Sequence, residues 1–252
     1  MARTDAALGN SLTHLPFLAG IPRATARRSL ALSSAALVAT LALTSCAPEP
    51  NGIQKEKGPA IAAAAARALG SARTFEIQAS STVQGSQGSI TFDIEGQNEG
   101  VGTFTSSTIS FQAEELRGTD YFRSTTLWSQ VGGAGLQTDL GNRWVYIAAS
   151  SSTAADLTQA FATLTSPKAL EMEIAKQAPT AVRGKESVYE GQSVIAVSEP
   201  PTRTLYVATT GKPYPLRWVR PGSGSVIFRD FGKRFHLKAP RKPLNLAAIL
   251  AG

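Results

Sequence analysis

Cysteine and histidine are almost missing from this chain: it has one of the first, Cys46, and two of the second, His14 and His236. A single thiol forms no disulfide within the chain and founds no cysteine metal cluster. His236 stands between Phe235 and Leu237 in a late basic stretch, where it reads as a solvent-facing strand residue rather than a catalytic base. No G-x-S-x-G elbow, H-E-x-x-H pair or phosphate-binding P-loop occurs. Glu114 and Glu115 are adjacent, so a strand turns them to opposite faces, and Glu171 and Glu173 fit the solvated face of a short helix. The sequence therefore assigns no catalytic residue, no metal ligand and no cofactor, and the expectation is a protein that is not an enzyme.

An apolar run long enough to span a bilayer, roughly 20 residues, is also lacking. What exists instead is residues 27–46, RRSLALSSAALVATLALTSC. Two arginines lead into an apolar stretch from Leu30 to Leu43, which closes on small residues before Ala47-Pro48-Glu49-Pro50. A basic start, a short apolar centre and small residues at the end make a secretory signal peptide. Leu43-Thr44-Ser45-Cys46 resembles the lipobox of bacterial lipoproteins. That resemblance implies cleavage between Ser45 and Cys46 and a diacylglyceryl, palmitate-type anchor on Cys46, so the bacterial cell membrane is the expected partner, met from its outer, extracytoplasmic side. Two or more acyl chains hold a protein durably where one does not. The expected division is 1–45 signal peptide, 46–58 flexible tether, 59–240 folded domain and 241–252 tail.

Charge is sparse, 17% of residues, and unevenly placed. From Arg203 onward ten Lys or Arg stand against one acid, Asp230, a local +9; residues 47–202 hold eleven bases and sixteen acids, a local −5. Such asymmetry points to an anionic surface, and for a tethered protein the nearest one is the headgroup layer. The plain alternative is a solvated basic face. Aromatic and basic residues are not interleaved in the manner of an RNA-binding module, so nucleic acid is not an expected partner.

Periodicity supplies the architecture. A helix is expected over 59–70, with proline at its start, glycine at its end, and Ile61, Ala65, Ala68 and Leu69 on one small apolar face. Alternation then takes over. Phe75, Ile77 and Ala79, then Ile90, Phe92 and Ile94, then Ile109, Phe111 and Ala113 alternate with polar residues, with further strands at 101–105, 121–123 and 143–147. Residues 150–178 return to helical spacing: Thr153 and Asp156 open one helix carrying Leu157, Ala160, Phe161 and Leu164, and Ser166-Pro167 opens a second carrying Leu170 and Ile174. Strands follow at 182–189, 193–197, 204–209, 216–219, 226–229 and 235–237. Residues 125–135, TTLWSQVGGAG, read as a lip, with Trp128 either at its entrance or as a buried anchor. Helix, strands, helices, strands is an α+β order, and one wetted sheet face means antiparallel pairing.

Three segments carry a family resemblance. LYVATTGKPYPLR at 205–217, preceded by GQSV at 191–194, resembles the closing hairpins of actinobacterial extracytoplasmic lipoproteins with a LolA-like fold, the LppX and LprG types. GNRWVYI at 141–147 resembles their strand before the capping helices, and 60–75 their opening helix and first strand. The resemblance implies a curved antiparallel half-barrel sheet with helices over its concave face, an apolar cavity that binds a lipid or lipoprotein through its acyl chains, and no catalytic residues. Periodicity, not a motif, picks the cavity candidates: Phe75, Ile77, Ile90, Phe92, Ile94, Ile109, Phe111, Leu157, Phe161, Leu164, Leu205 and Val207. The same residues also fit a filled core packed at crystal density. Two functions stay open on the sequence: a lipid carrier with an empty slot, or an envelope interaction or sensory module with a filled core.

Overall fold

A computed structural model describes residues 49–83, 86–148, 159, 162, 165–199, 203–221 and 224–251. Helix α1 (Gly58–Gly70) starts at a proline in its first turn and buries Ile61, Ala62, Ala65, Ala66 and Leu69. Its alanines let it lie close to its neighbours: a Cβ at Gly58 would overlap the Ala181 carbonyl, and one at Gly70 would overlap Glu171. It packs on α3 (Pro167–Ala175), on the 3-10 turn Ala178–Thr180 and across the strands Val182–Tyr189, Gln192–Glu199, Arg203–Ala208 and Pro215–Arg220.

The strands of the first half are β1 (Thr74–Val83), β2 (Ser86–Glu95), β3 (Gly100–Ser106), β4 (Ser110–Leu116), β5 (Thr119–Ser124) and β6 (Val145–Ala148). Those of the second half are β7 (Val182–Tyr189), β8 (Gln192–Glu199), β9 (Arg203–Ala208), β10 (Pro215–Arg220) and β11 (Gly224–Arg229), with a short β12 (Leu244–Asn245) near the end. They form one sheet in the order β12-β6-β5-β4-β3-β2-β1-β11-β10-β9-β8-β7. Each half is an antiparallel meander, and the β1–β11 pair joins the two. Among the described residues only β12 against β6 is parallel. Two tight hairpins show why the meander turns where it does. Arg117-Gly118 and Glu190-Gly191 both have positive φ at two successive residues, the geometry whose twist matches that of the flanking strands.

Helix α2 (Leu127–Leu140) occupies the segment that reads as a lip in the sequence. It is broken at Gly132 and Gly133, the latter with φ of 79°, so its two short arms each bury their own residues: Leu127 and Trp128 on one, Leu136 and Leu140 on the other. Trp128 is fully buried, the anchor of the two alternatives. The helix opening at Thr153 falls largely outside the described residues; 159, 162 and 165 are helical.

One expected strand is absent. Residues 235–237 alternate in burial but pair with nothing, because β1 and β10 already occupy both edges of β11. The chain leaves the sheet there and crosses its back instead. The ends also differ from the expected tether and tail. Pro50 bridges to Thr210, Asn51 donates its backbone N–H to the Thr209 carbonyl, and Leu246 of α4 (Leu246–Ala251) is fully buried.

Candidate functional site

The strand register decides which side chains share a face. In β1 and β2, Phe75 lies opposite Ile94, Ile77 opposite Phe92 and Ala79 opposite Ile90. These rows continue through Gly100, Gly102 and Phe104 of β3 into Glu115, Ala113 and Phe111 of β4, and then Asp120, Phe122 and Ser124 of β5. All point to the inner face, against which the helices lie. Gly102 is needed there, since a Cβ would run into the Phe92 ring and the Thr91 carbonyl. The glycines of β3 thus let aromatic rings cross the strand.

This inner face changes character along the strands. At one end the aromatic rings of Phe104 and Phe111 stack at 5.1 Å, and Phe111 meets Phe122 edge-on at 6.0 Å. Phe104, Ile109 and Phe111 are only half-buried, whereas Phe75, Phe92, Ile94 and Phe122 are closed off. At the other end Glu115 and Asp120 face each other across the β4–β5 ladder, each 6% exposed. Thr165 Oγ1 donates to Glu115 Oε2. Burial, and then the neighbouring Glu115, pushes the Asp120 carboxyl up to about 7. Burial raises Glu115 as well, against the opposing effect of the Thr165 hydrogen bond. Glu114 does point the other way, as its spacing predicts. The partner that sequence reasoning missed is Asp120, which shares a face with Glu115 only because the turn at Arg117-Gly118 sets the register.

In the second half the inner face is filled. Ile195, Val197, Leu205, Val207 and Phe228 are buried, and a gap of about 20 Å³ remains between α1, α3 and the sheet, beside Ala62, Ile174, Gln177, Leu205 and Trp218. That is room for about one water molecule. Arg203 closes it, with its guanidinium 5.5 Å from the Trp218 ring centre.

The outer face carries a different feature, a groove of about 500 Å³ lined by Tyr189, Lys212, Tyr214, Leu216 and Phe231 among others. Tyr214 and Phe231 stack at 3.8 Å, and Arg217 stands over Tyr189 at 5.5 Å. The sequence signal for it was the tyrosines at 189, 206 and 214, which fall out of phase with the inner-face residues.

Of the candidates chosen by periodicity, Phe75, Ile77, Ile90, Phe92, Ile94, Leu205 and Val207 join one buried cluster, and Ile109 and Phe111 pack on its margin. Leu157, Phe161, Leu164, Ser45 and Cys46 lie outside the described residues. Among the described residues no group of three His, Cys, Asp or Glu is placed to hold a metal ion, and no helix is long and apolar enough to cross a membrane.

A wide open antiparallel sheet with a few helices on one face is the LolA-like α+β half-barrel. Among solved structures, the crystal structure of LprF from Mycobacterium bovis has this architecture: it superposes with a TM-score of 0.52 over 77% of this chain and 98% of LprF, at 13% identity. The likeness in fold agrees with the resemblance to LppX- and LprG-type lipoproteins read from the sequence. No family model matches the chain, and no curated protein matches it either.

Proposed function

We propose that this protein is a lipid-anchored extracytoplasmic lipid-binding protein, whose acyl ligand lies on the inner face of β1 to β5. The observation that carries the reading is the aromatic row Phe104, Phe111 and Phe122, which runs from the buried core out to half-exposed rings at its margin. Each CH₂ moved from water onto such a face contributes roughly 0.8 kcal/mol, so a single chain is held without any specific polar contact. The LprF-like fold and the lipobox at 43–46 support the same reading. No step of chemistry is required of the protein. A filled-core interaction module is the second reading, and the gap of only about 20 Å³ under α1 favours it for the β8–β10 half.

Native mass spectrometry with lipid extraction, on the mature chain purified without detergent from a lipid-rich bacterial host, separates the two. The expected result is a stoichiometric lipid that is lost in Ile109→Trp, where a larger ring fills the margin of the aromatic row. A clean unliganded mass in repeated preparations would favour the filled core. The anchor is tested apart from the cavity: Cys46→Ala is expected to leave the membrane fraction in a high-salt wash while keeping the parent's unfolding transition. Retention through that wash would overturn lipidation at Cys46.

A further inference from the structure

The +9 of the last fifty residues is not spread over the domain. Once β11 ends, residues 230–243 run across the outer face from β1 to β6. The Gly232 N–H donates to the Thr74 carbonyl at 3.0 Å, and the Leu244 N–H to the Trp144 carbonyl at 2.8 Å. Between these points the strap covers Glu114, which points outward from β4 yet is 4% exposed and accepts the backbone N–H of Lys238. Phe235 and Leu237 are half-buried, while Arg234, His236, Lys238, Arg241 and Lys242 are exposed. Lys233 pairs with Asp230 and Arg229 with Glu76, but Arg234, Lys238, Arg241 and Lys242 enter no ion pair among the described residues. Four cations that form no ion pair among the described residues are thus carried on one strap, tied to the sheet at both ends.

The N-terminal connection meets the sheet close to where the strap begins. Pro50 bridges to Thr210, and the Asn51 side chain donates to the carbonyls of Ala208 and Gly211. Beside that turn Phe231, where the strap begins, stacks on Tyr214. Three residues separate Cys46 from Pro50, a reach of about 14 Å at full extension.

We propose that the strap is a docking surface for anionic lipid headgroups, and that the domain lies with its outer face against the membrane and its helices away from it. The orientation set by the tether rests on lipidation at Cys46; the attraction of the strap to anionic headgroups does not. Charge complementarity commits the surface to a lipid layer, because headgroups present anions in a plane that several strap cations reach together. Each base lost is expected to weaken binding about fivefold, and salt to weaken it further, since exposed charges are screened beyond about 10 Å at 0.1 M.

The test uses the mature chain from Ala47, which contains every described element and lacks Cys46, so its outcome is independent of lipidation. Co-sedimentation is measured with phosphatidylcholine vesicles and with vesicles that also contain phosphatidylglycerol. The expected result is binding only to the second, weakened at least about 100-fold when Arg234, Lys238, Arg241 and Lys242 are all changed to Glu. A control of equal charge, with Lys57, Arg67, Arg183 and Lys185 changed to Glu, is expected to lose less than about a third as much on a logarithmic scale, because those exposed side chains lie off the strap. Thermal unfolding of both variants checks that they remain folded, and changing the same four strap residues to Gln gives a milder loss in the same direction. Equal loss in the two Glu variants, equal binding to pure phosphatidylcholine, or competition by soluble polyphosphate at the same charge concentration would each overturn the proposal.

Discussion

Phe92→Asp is expected to cost the domain most of its stability, and to leave it largely unfolded if the parent sits at the low end of the usual 5–15 kcal/mol. Phe92 is 1% exposed, lies opposite Ile77 in β1, and has its ring over Gly102 of β3. Removing such a ring costs about 3–5 kcal/mol in lost burial and cavity formation. Placing a carboxylate there adds a desolvation penalty of further kcal/mol, or forces the acid to bind a proton. The neighbouring Thr91→Asp is the control: Thr91 is exposed and points to the opposite face, so its change should stay within about 0.5 kcal/mol. Phe111→Asp belongs between the two, because Phe111 is half-buried at the margin of the aromatic row. Urea unfolding of the three variants gives the ranking. Equal transitions for Phe92→Asp and Thr91→Asp would sink the assignment of the inner face.

The second large effect concerns pH. With the Asp120 carboxyl held near 7 in the folded chain against an ordinary value of 3.8, the folded state keeps a proton that the unfolded state has already released. Folding stability therefore falls as pH rises from about 4 to about 7. Over that window the loss has an upper bound of about 4 kcal/mol, at roughly 1.4 kcal/mol per pH unit. Asp120→Asn keeps the side chain's shape and removes the titration. The variant is expected to be the more stable protein at pH 8 and to differ little from the parent near pH 4. Glu115 titrates in contact with Asp120, so Glu115→Gln should also flatten the slope, by relieving part of the like-charge repulsion. Denaturant midpoints taken at intervals of half a pH unit read this directly; an Asp120→Asn curve parallel to the parent's would show that the buried pair is not the source.

The two effects also separate what the inner face does from what it is made of. Phe92 and its neighbours are needed for any folded sheet, so they say nothing about a ligand. The margin at Phe104, Ile109 and Phe111 is where a bound acyl chain and a bare aromatic edge would differ, which is why the lipid measurement is made on Ile109→Trp and not on a core variant.

Much of this was legible in the chain itself. Alternation of apolar and polar residues marked the inner-facing side of β1, β2, β4 and β9, since side chains in a strand point to opposite faces in turn and only one face is dry. Proline at the start and small residues along 59–70 marked α1, and the segment at 27–46 carried an address that needs no tertiary contact to be read. Two misreadings have physical causes. The α2 segment shows no helical period because Gly132 and Gly133 break it into arms with different faces. The strand expected at 235–237 has the right alternation, yet alternation reports one-sided burial and not pairing; residues lying on the back of a sheet satisfy it equally well.

What the sequence determined by itself was therefore local: most element types, the dry side of the strands with clear alternation, and a segment at 27–46 that reads as an export signal. The tertiary structure alone decided which strands became neighbours, through the β1–β11 junction, the turn that sets Asp120 opposite Glu115, and the filling of both edges of β11. Those outcomes depend on register and on which edges are already taken, quantities that arise between segments far apart in the chain, and they are what placed two acids on the sheet's inner face and, on its back, four cations with no ion pair among the described residues.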